Sequence, residues 1–382
     1  MVSDPRFPAG SQPFERSTSR EPIRHLYVHT PFCATICPYC AFYVHTGSAK
    51  EMRVFVDALL GEWKRIAQAH PVEIETLYLG GGTPSLLPLD AFQRLADALR
   101  PWEAFEATIE ANPRTVTPEK ASAWRNLGIG RVSLGVQSLD PAVLRTLGRR
   151  HTPADVERTV AILREAGFRN LNMDLLLGVP GQSPASWEET LGRTIALGPE
   201  HLSAYELTYE EDTPFFQARA AGIWREEEGR TIAMYRTAWR ILEGAGYRQY
   251  EISNYARSGY ESLHNQAYWR GRDYLGLGPG ACSTVGSRRW QNRRRTQEYI
   301  AALQADRDPP REEEALSEAI RRRERCFLGL RTSEGIPVSW IDGHSEDLRA
   351  LLDQGLAELS KGVFRLTPEG RLLADGIAAL FV

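Results

Sequence analysis

The chain reads as an α/β protein built on an incomplete six-stranded parallel barrel, a partial (β/α)6 unit, followed by a small, mostly helical, winged-helix-like C-terminal unit. Three observations predict this. Six short runs rich in Val, Ile, Leu and Tyr recur between residues 25 and 207. Amphipathic stretches of helical period separate them, as a repeat of strand, crossover and parallel strand requires. Beyond residue 225 that alternation stops and the composition changes.

In chain order, strands are expected at HLYVH (25–29), TLYLG (76–80), ATIEA (107–111), RVSLGV (131–136), NLNMDLL (170–176) and HLSAYEL (201–207). The helices between them include EMRVFVDALLGEWKRIAQA, PLDAFQRLADALR, TPEKASAWRNLG and TPADVERTVAILREAGF. The last two open with Thr-Pro, a helix start, and Gly128 and Gly167 close them. A long helix (226–244) leads into a segment rich in Gly and aromatics, then the basic run RRWQNRRR, then DRDPPREEE, a linker by composition. The expected organisation is a disordered tail (1–22), the barrel core (23–225), an extension (226–310) and the C-terminal unit (311–382).

Bulk properties exclude several classes. A composition of 42% hydrophobic and 25% charged residues is ordinary for a globular protein, and a net charge of −3 gives no reason to expect a nucleic-acid partner. No apolar run reaches the ~18 residues of a membrane helix, and the N-terminus lacks the apolar core of a signal peptide. Five cysteines, three of them clustered, do not form a disulfide framework. A cytoplasmic protein is expected, with peripheral membrane contact left open by the arginines of the basic run; both a monomer and a dimer fit.

In barrels of this kind function gathers at the C-terminal ends of the strands. There the unusual residues do collect. After the first strand comes TPFCATICPYC, with Cys33, Cys37 and Cys40 spaced C-x3-C-x2-C. Three thiolates are one ligand short of a structural zinc site, which His29 or His45 would complete. Alternatively, they hold three irons of a [4Fe–4S] cube and leave the fourth iron open. GGGTPS follows the second strand, without the spacing of a phosphate loop or a dinucleotide fingerprint. Its glycines would let a ligand approach closely. Glu110, Gln137, Arg149 and Asp174 lie at or near later strand ends. Together they offer acceptors and donors for a ligand bearing both an ammonium and a carboxylate.

These motifs, with Tyr27 six residues ahead of the first cysteine and with EANP, RVSLGVQSLD, LGRRH, NMDLLLGVPGQ, YEISNYARSG, HNQAYW and YLGLGPGA, resemble the radical S-adenosylmethionine (SAM) superfamily. The likeness spans roughly residues 23–382. It is nearest to the group that contains oxygen-independent coproporphyrinogen III oxidase and the HemW-type heme chaperones. The resemblance implies that Cys33, Cys37 and Cys40 ligate a [4Fe–4S] cluster whose open iron takes the SAM amino and carboxylate groups. It implies SAM contacts from Tyr27, Gly81, Gly82, Thr83, Glu110, Gln137, Arg149 and Asp174, and reductive SAM cleavage as the cofactor's chemistry. The oxidase carries a fourth cysteine where this chain has Phe42, and a longer segment ahead of its tyrosine. Both departures favour the heme-chaperone branch, with an oxidase-like activity in porphyrin biosynthesis as the alternative. In that branch HNQAYW is associated with heme, which implies His264, Tyr268 and Trp269 as its contacts and a heme-acceptor protein as partner. Where the family reads GAHS this chain reads GACS, so Cys282 is a second candidate iron ligand.

Overall fold

A computed structural model describes residues 21–224 and 228–381. The expected tail at 1–22 lies almost wholly outside them.

Strand and helix alternate as the sequence pattern requires: β1 (Ile23–Thr30), α1 (Ala49–Ala69), β2 (Val72–Gly81), α2 (Leu89–Leu99), β3 (Glu106–Ala111), α3 (Pro118–Asn126) and β4 (Arg131–Gln137). They continue with α4 (Pro141–Thr146), α5 (Pro153–Glu165), β5 (Leu171–Leu177), α6 (Pro184–Ala196), β6 (His201–Glu206), α7 (Pro214–Ala220) and α8 (Glu228–Gly244). β1 to β6 are parallel and adjacent in chain order. Thr117 and Thr152 cap α3 and α5 by accepting from the amides of Lys120 and Asp155. Gly128 and Gly167 follow the helix ends at φ +92° and +90°, which non-glycine residues seldom adopt.

The strands are two-faced. Leu26, Val28, Leu77, Leu79, Ile109, Val132, Leu134 and Met173 pack outward and join Phe55, Leu59 and Trp124 of the helices in one core. Each such side chain contributes roughly 1.5–3 kcal/mol through burial. The alternate residues, among them Tyr27, His29, Tyr78, Glu110, Ser133 and Asp174, make the other face polar. Direct register opposite one another puts Tyr27 beside Tyr78.

The segment after residue 225 does not leave the sheet. β7 (Arg248–Glu251) and β8 (Asn254–Ala256) form a hairpin that pairs antiparallel with β6. After α9 (Leu263–Trp269), β9 (Leu275–Leu277) pairs parallel with β1 at the opposite edge, so the sheet has nine strands. β10 (Cys282–Val285) and β11 (Arg288–Asn292) form a second small sheet, and α10 (Thr296–Gln304) packs on α1. The expected linker is a correction: its acidic run is β12 (Arg311–Ala315), an edge strand antiparallel to β11. Cross-strand charge explains the pairing, since Arg288 meets Glu313 at 2.7 Å and Arg289 meets Glu314 at 3.2 Å. A separate apolar core around Leu330, Phe364 and Phe381 holds the C-terminal unit, which combines α11 (Glu318–Leu330) with a three-stranded sheet and short helices. Among the described residues no helix is long and apolar enough to cross a membrane.

Candidate cofactor cleft and an adjoining aromatic cavity

The chain leaves β1 through Pro31 into the cysteine loop. A two-residue parallel bridge closes the base of that loop: the Cys33 amide donates to His45 O (2.9 Å) and the His45 amide to Pro31 O (2.8 Å). A tight turn, Cys40 N to Cys37 O at 3.1 Å, brings the second and third cysteines together. All three are half-buried and line a cleft of about 740 Å³ at the C-terminal ends of the strands. Gly81, Gly82, Thr83, Glu110, Gln137, Arg149 and Asp174 line the same cleft. The residues expected at strand ends are therefore brought together, with one exception described below.

The glycines also have a packing reason beside the one expected. A Cβ on Gly82 would sit 2.6 Å from the Phe32 carbonyl oxygen, and one on Gly81 would sit 2.6 Å from the His29 ring. These glycines let the β2 end pass under the root of the cysteine loop, and Gly81 also stands at φ +103°. Gln137 is the unusual residue here: a non-glycine at φ +64°, just past an irregularity in the β4–β5 register. Strain of this kind collects at functional sites.

Electrostatics divide the cleft. Glu110 accepts from Tyr78 Oη (2.9 Å) and from the Gly81 amide (3.1 Å). Burial, and then the neighbouring Asp174 carboxylate, push it up to about 7. Asp174 accepts from Asn172 (2.8 Å) and Ser133 (3.1 Å), and burial raises it as well. Both carboxylates line the cleft. Arg149 donates to Gly135 O (2.7 Å) and approaches Cys37 Sγ (3.7 Å), while its Nε is buried without a partner. Burial pushes Cys33 up to about 11 and raises Cys40. Thiols so placed ionise when a bound metal supplies positive charge.

The donor set fits a multi-iron cluster better than one ion. Among the described residues no group of three or more His, Cys, Asp or Glu side chains converges on a single metal position. A cluster needs no such convergence, because each thiolate takes a different iron. Nor is His29 or His45 free to complete a zinc site. His29 Nε2 lies 2.9 Å from Tyr43 O and must donate to it, leaving Nδ1 to accept from Tyr27 Oη (3.0 Å). His45 is committed likewise, through Nδ1 to Thr46 O (2.9 Å) and Nε2 to Thr296 Oγ1 (2.7 Å).

A second cavity of about 600 Å³ adjoins the first, and Ala41, Phe42, Tyr78, Glu110 and Tyr205 line both. Tyr27 lines this second cavity and not the cysteine cleft, because its ring lies over Tyr78 with its hydroxyl on His29. His264, Tyr268 and Trp269 also line it. His264 is no open ligand, however. It is 1% exposed, with Nδ1 on Thr76 Oγ1 (2.8 Å), Nε2 on Tyr268 Oη (3.0 Å) and its ring stacked on Tyr78. Burial pushes it down to about 3, so the imidazole is neutral. The Glu106 carboxylate fixes its helix by accepting from the amides of Leu263 (3.1 Å) and His264 (3.0 Å).

Sequence reasoning passed over Tyr78, Tyr205 and Arg325, all on the second cavity, whereas Arg294, also on its wall, belongs to the basic run that the sequence singles out. For Tyr78 a signal existed: on β2 it shares the face of Gly80 and stands level with Tyr27. For Arg325, on a helix of the C-terminal unit, none did.

Comparison with known proteins agrees with this architecture. Residues 27–193 match the family model of the radical SAM superfamily, and residues 316–373 match that of the HemN C-terminal domain. The heme chaperone HemW of Bacillus subtilis (strain 168) is 31% identical over 94% of this chain and 99% of its own length. The chain belongs to the HemW family. HemW of Escherichia coli (strain K12) is 39% identical over 69% of this chain and 71% of its own. Among solved structures, coproporphyrinogen III oxidase (HemN) from Escherichia coli, a radical SAM enzyme, superposes with a TM-score of 0.81 at 26% identity, covering 96% of this chain and 90% of that one. Membership of the radical SAM superfamily implies a [4Fe–4S] cluster and SAM.

Proposed function

We propose that this chain is a heme chaperone that keeps a [4Fe–4S] cluster and SAM in the cysteine cleft and carries heme in the adjoining cavity for transfer to an acceptor protein. The observation behind this reading is the pair of cavities with a common wall at Phe42, Tyr78, Glu110 and Tyr205. Cys33, Cys37 and Cys40 would hold the cluster. Glu110 and Asp174 would accept from the ammonium of SAM, Arg149 would pair with its carboxylate, and Gln137 would contribute its amide. When bound, cluster and SAM supply one-electron reductive chemistry. Tyr27, Tyr78, Tyr268 and Trp269 give the second cavity an aromatic lining, which suits a porphyrin.

A second reading, a porphyrinogen oxidase, draws on the likeness to the HemN structure. Phe42 weighs against it: it is 70% exposed at the border of both cavities, where the oxidase has a fourth cysteine. The test is an anaerobic heme titration of the cluster-reconstituted protein followed at the Soret band. Saturation near one heme per chain supports the chaperone. Absence of binding, together with consumption of coproporphyrinogen III in the presence of SAM, would replace it with the oxidase.

A further inference from the structure

The second cavity combines three features that select a ligand more narrowly than its aromatic wall does. First, it carries uncompensated positive charge. Of the arginines lining it, Arg289 is spent on Glu324 (2.6 Å) and Arg321 on Asp273 (2.8 Å). Arg272, Arg294 and Arg325 have no carboxylate partner among the described residues. Arg325 only lies over the Trp340 ring, and its Nε is buried with no acceptor. Second, the indole Nε1–H of Trp269 is also buried without an acceptor. Third, both imidazoles on the cavity wall have committed nitrogens: His29 to Tyr43 O and Tyr27 Oη, His264 to Thr76 and Tyr268. The cavity is rich in donors that seek an anionic acceptor and has no open imidazole for a metal; Cys282 also lines it, and burial raises its thiol, which keeps it protonated.

Resting on the heme reading above, we infer that this cavity recognises its tetrapyrrole by the carboxylate side chains and the aromatic face rather than by the iron, with Arg294 and Arg325 as the carboxylate partners. Guanidinium pairs carboxylate in a planar, two-bonded geometry, which fixes which edge of the macrocycle points where. A carrier built this way releases its cargo without breaking an iron–protein bond. It also accepts metal-free porphyrin acids.

The test titrates the cluster-reconstituted protein with heme, metal-free protoporphyrin IX and heme dimethyl ester, reading ligand absorbance and quenching of tryptophan fluorescence. Heme and the metal-free acid are expected to bind within a few-fold of each other, and the ester about tenfold or more weaker. Arg294→Ala and Arg325→Ala should each weaken both acids about tenfold and leave the ester unchanged. If heme binds far more tightly than the metal-free acid, the iron is the recognised group and the inference falls; Cys282→Ser then identifies the ligand. Equal binding of ester and acid also overturns it. If none of the three binds, the heme reading fails along with the inference.

Discussion

Glu110→Gln separates what the cofactor cleft does for binding from what it costs in stability. Burial and Asp174 raise the carboxyl from 4.5 to about 7. At about 1.4 kcal/mol per pH unit, the fold therefore disfavours the ionised form by up to roughly 3 kcal/mol. The sign follows from proton counting. Between these two values the folded chain binds more protons here than the unfolded one, so stability is highest below the lower value. It falls as pH rises and levels off above about 7. Glutamine preserves the geometry. Its carbonyl oxygen accepts from the Gly81 amide, and its NH2 donates to Tyr78 Oη, whose own proton is free to turn away.

Urea denaturation of the ligand-free protein at pH 5.5 and pH 8.5 measures the effect. Wild type is expected to lose about 2 kcal/mol between the two conditions from this group. The variant should lack that slope and be the more stable protein at pH 8.5. Its affinity for SAM, measured after cluster reconstitution, should fall at least about tenfold, because a neutral amide replaces the carboxylate proposed to accept from the ammonium. A variant that is less stable than wild type at pH 8.5, or that keeps the same pH slope, would refute the reasoning.

Cys37→Ser should abolish the iron–sulfur absorption of the reconstituted protein and shift stability by no more than about 1 kcal/mol, since the loop lies on the rim; an insoluble variant would contradict a rim site. Glu62→Ala should be severe: the buried carboxylate accepts from Tyr299 Oη (2.6 Å), Asn292 Nδ2 (2.6 Å) and the Gly278 amide (2.8 Å). Orphaning those donors costs roughly 3–6 kcal/mol in a urea melt, and a cost below about 1 kcal/mol would show that the network is dispensable. Gln137→Gly relieves a left-handed residue worth of order 1–3 kcal/mol, set against about 0.5–1 kcal/mol of extra chain entropy. The melting temperature should hold or rise while SAM affinity drops; a clear loss of stability would mean that the side chain, not the ligand, justifies the strained backbone.

The parts of this protein legible in its sequence are those whose physics is local. Each of the six parallel strands has its own apolar alternate face, and Thr117 and Thr152 stand three residues ahead of the amides they cap. Strands β7, β8 and β9 are only three or four residues long and meaningful only beside β6 and β1, so no window of sequence reveals them. The acidic β12 looks like solvated linker until the arginines of β11 are placed opposite. The site divides in the same way. Residue type marks Cys33, Cys37, Cys40, Glu110 and Asp174 as candidates for chemistry, and strand-end position brings them to one cleft. Availability is another matter. His264 looks like a ligand because imidazole is one, but whether its nitrogens are free depends on Thr76, 188 residues away, and on Tyr268 one helical turn on. Arg325 looks like helix-surface charge, yet among the described residues no carboxylate pairs with it, which makes it the more telling group. A side chain's chemistry is written in its identity, whereas its function depends on which bonds the fold has left unmade.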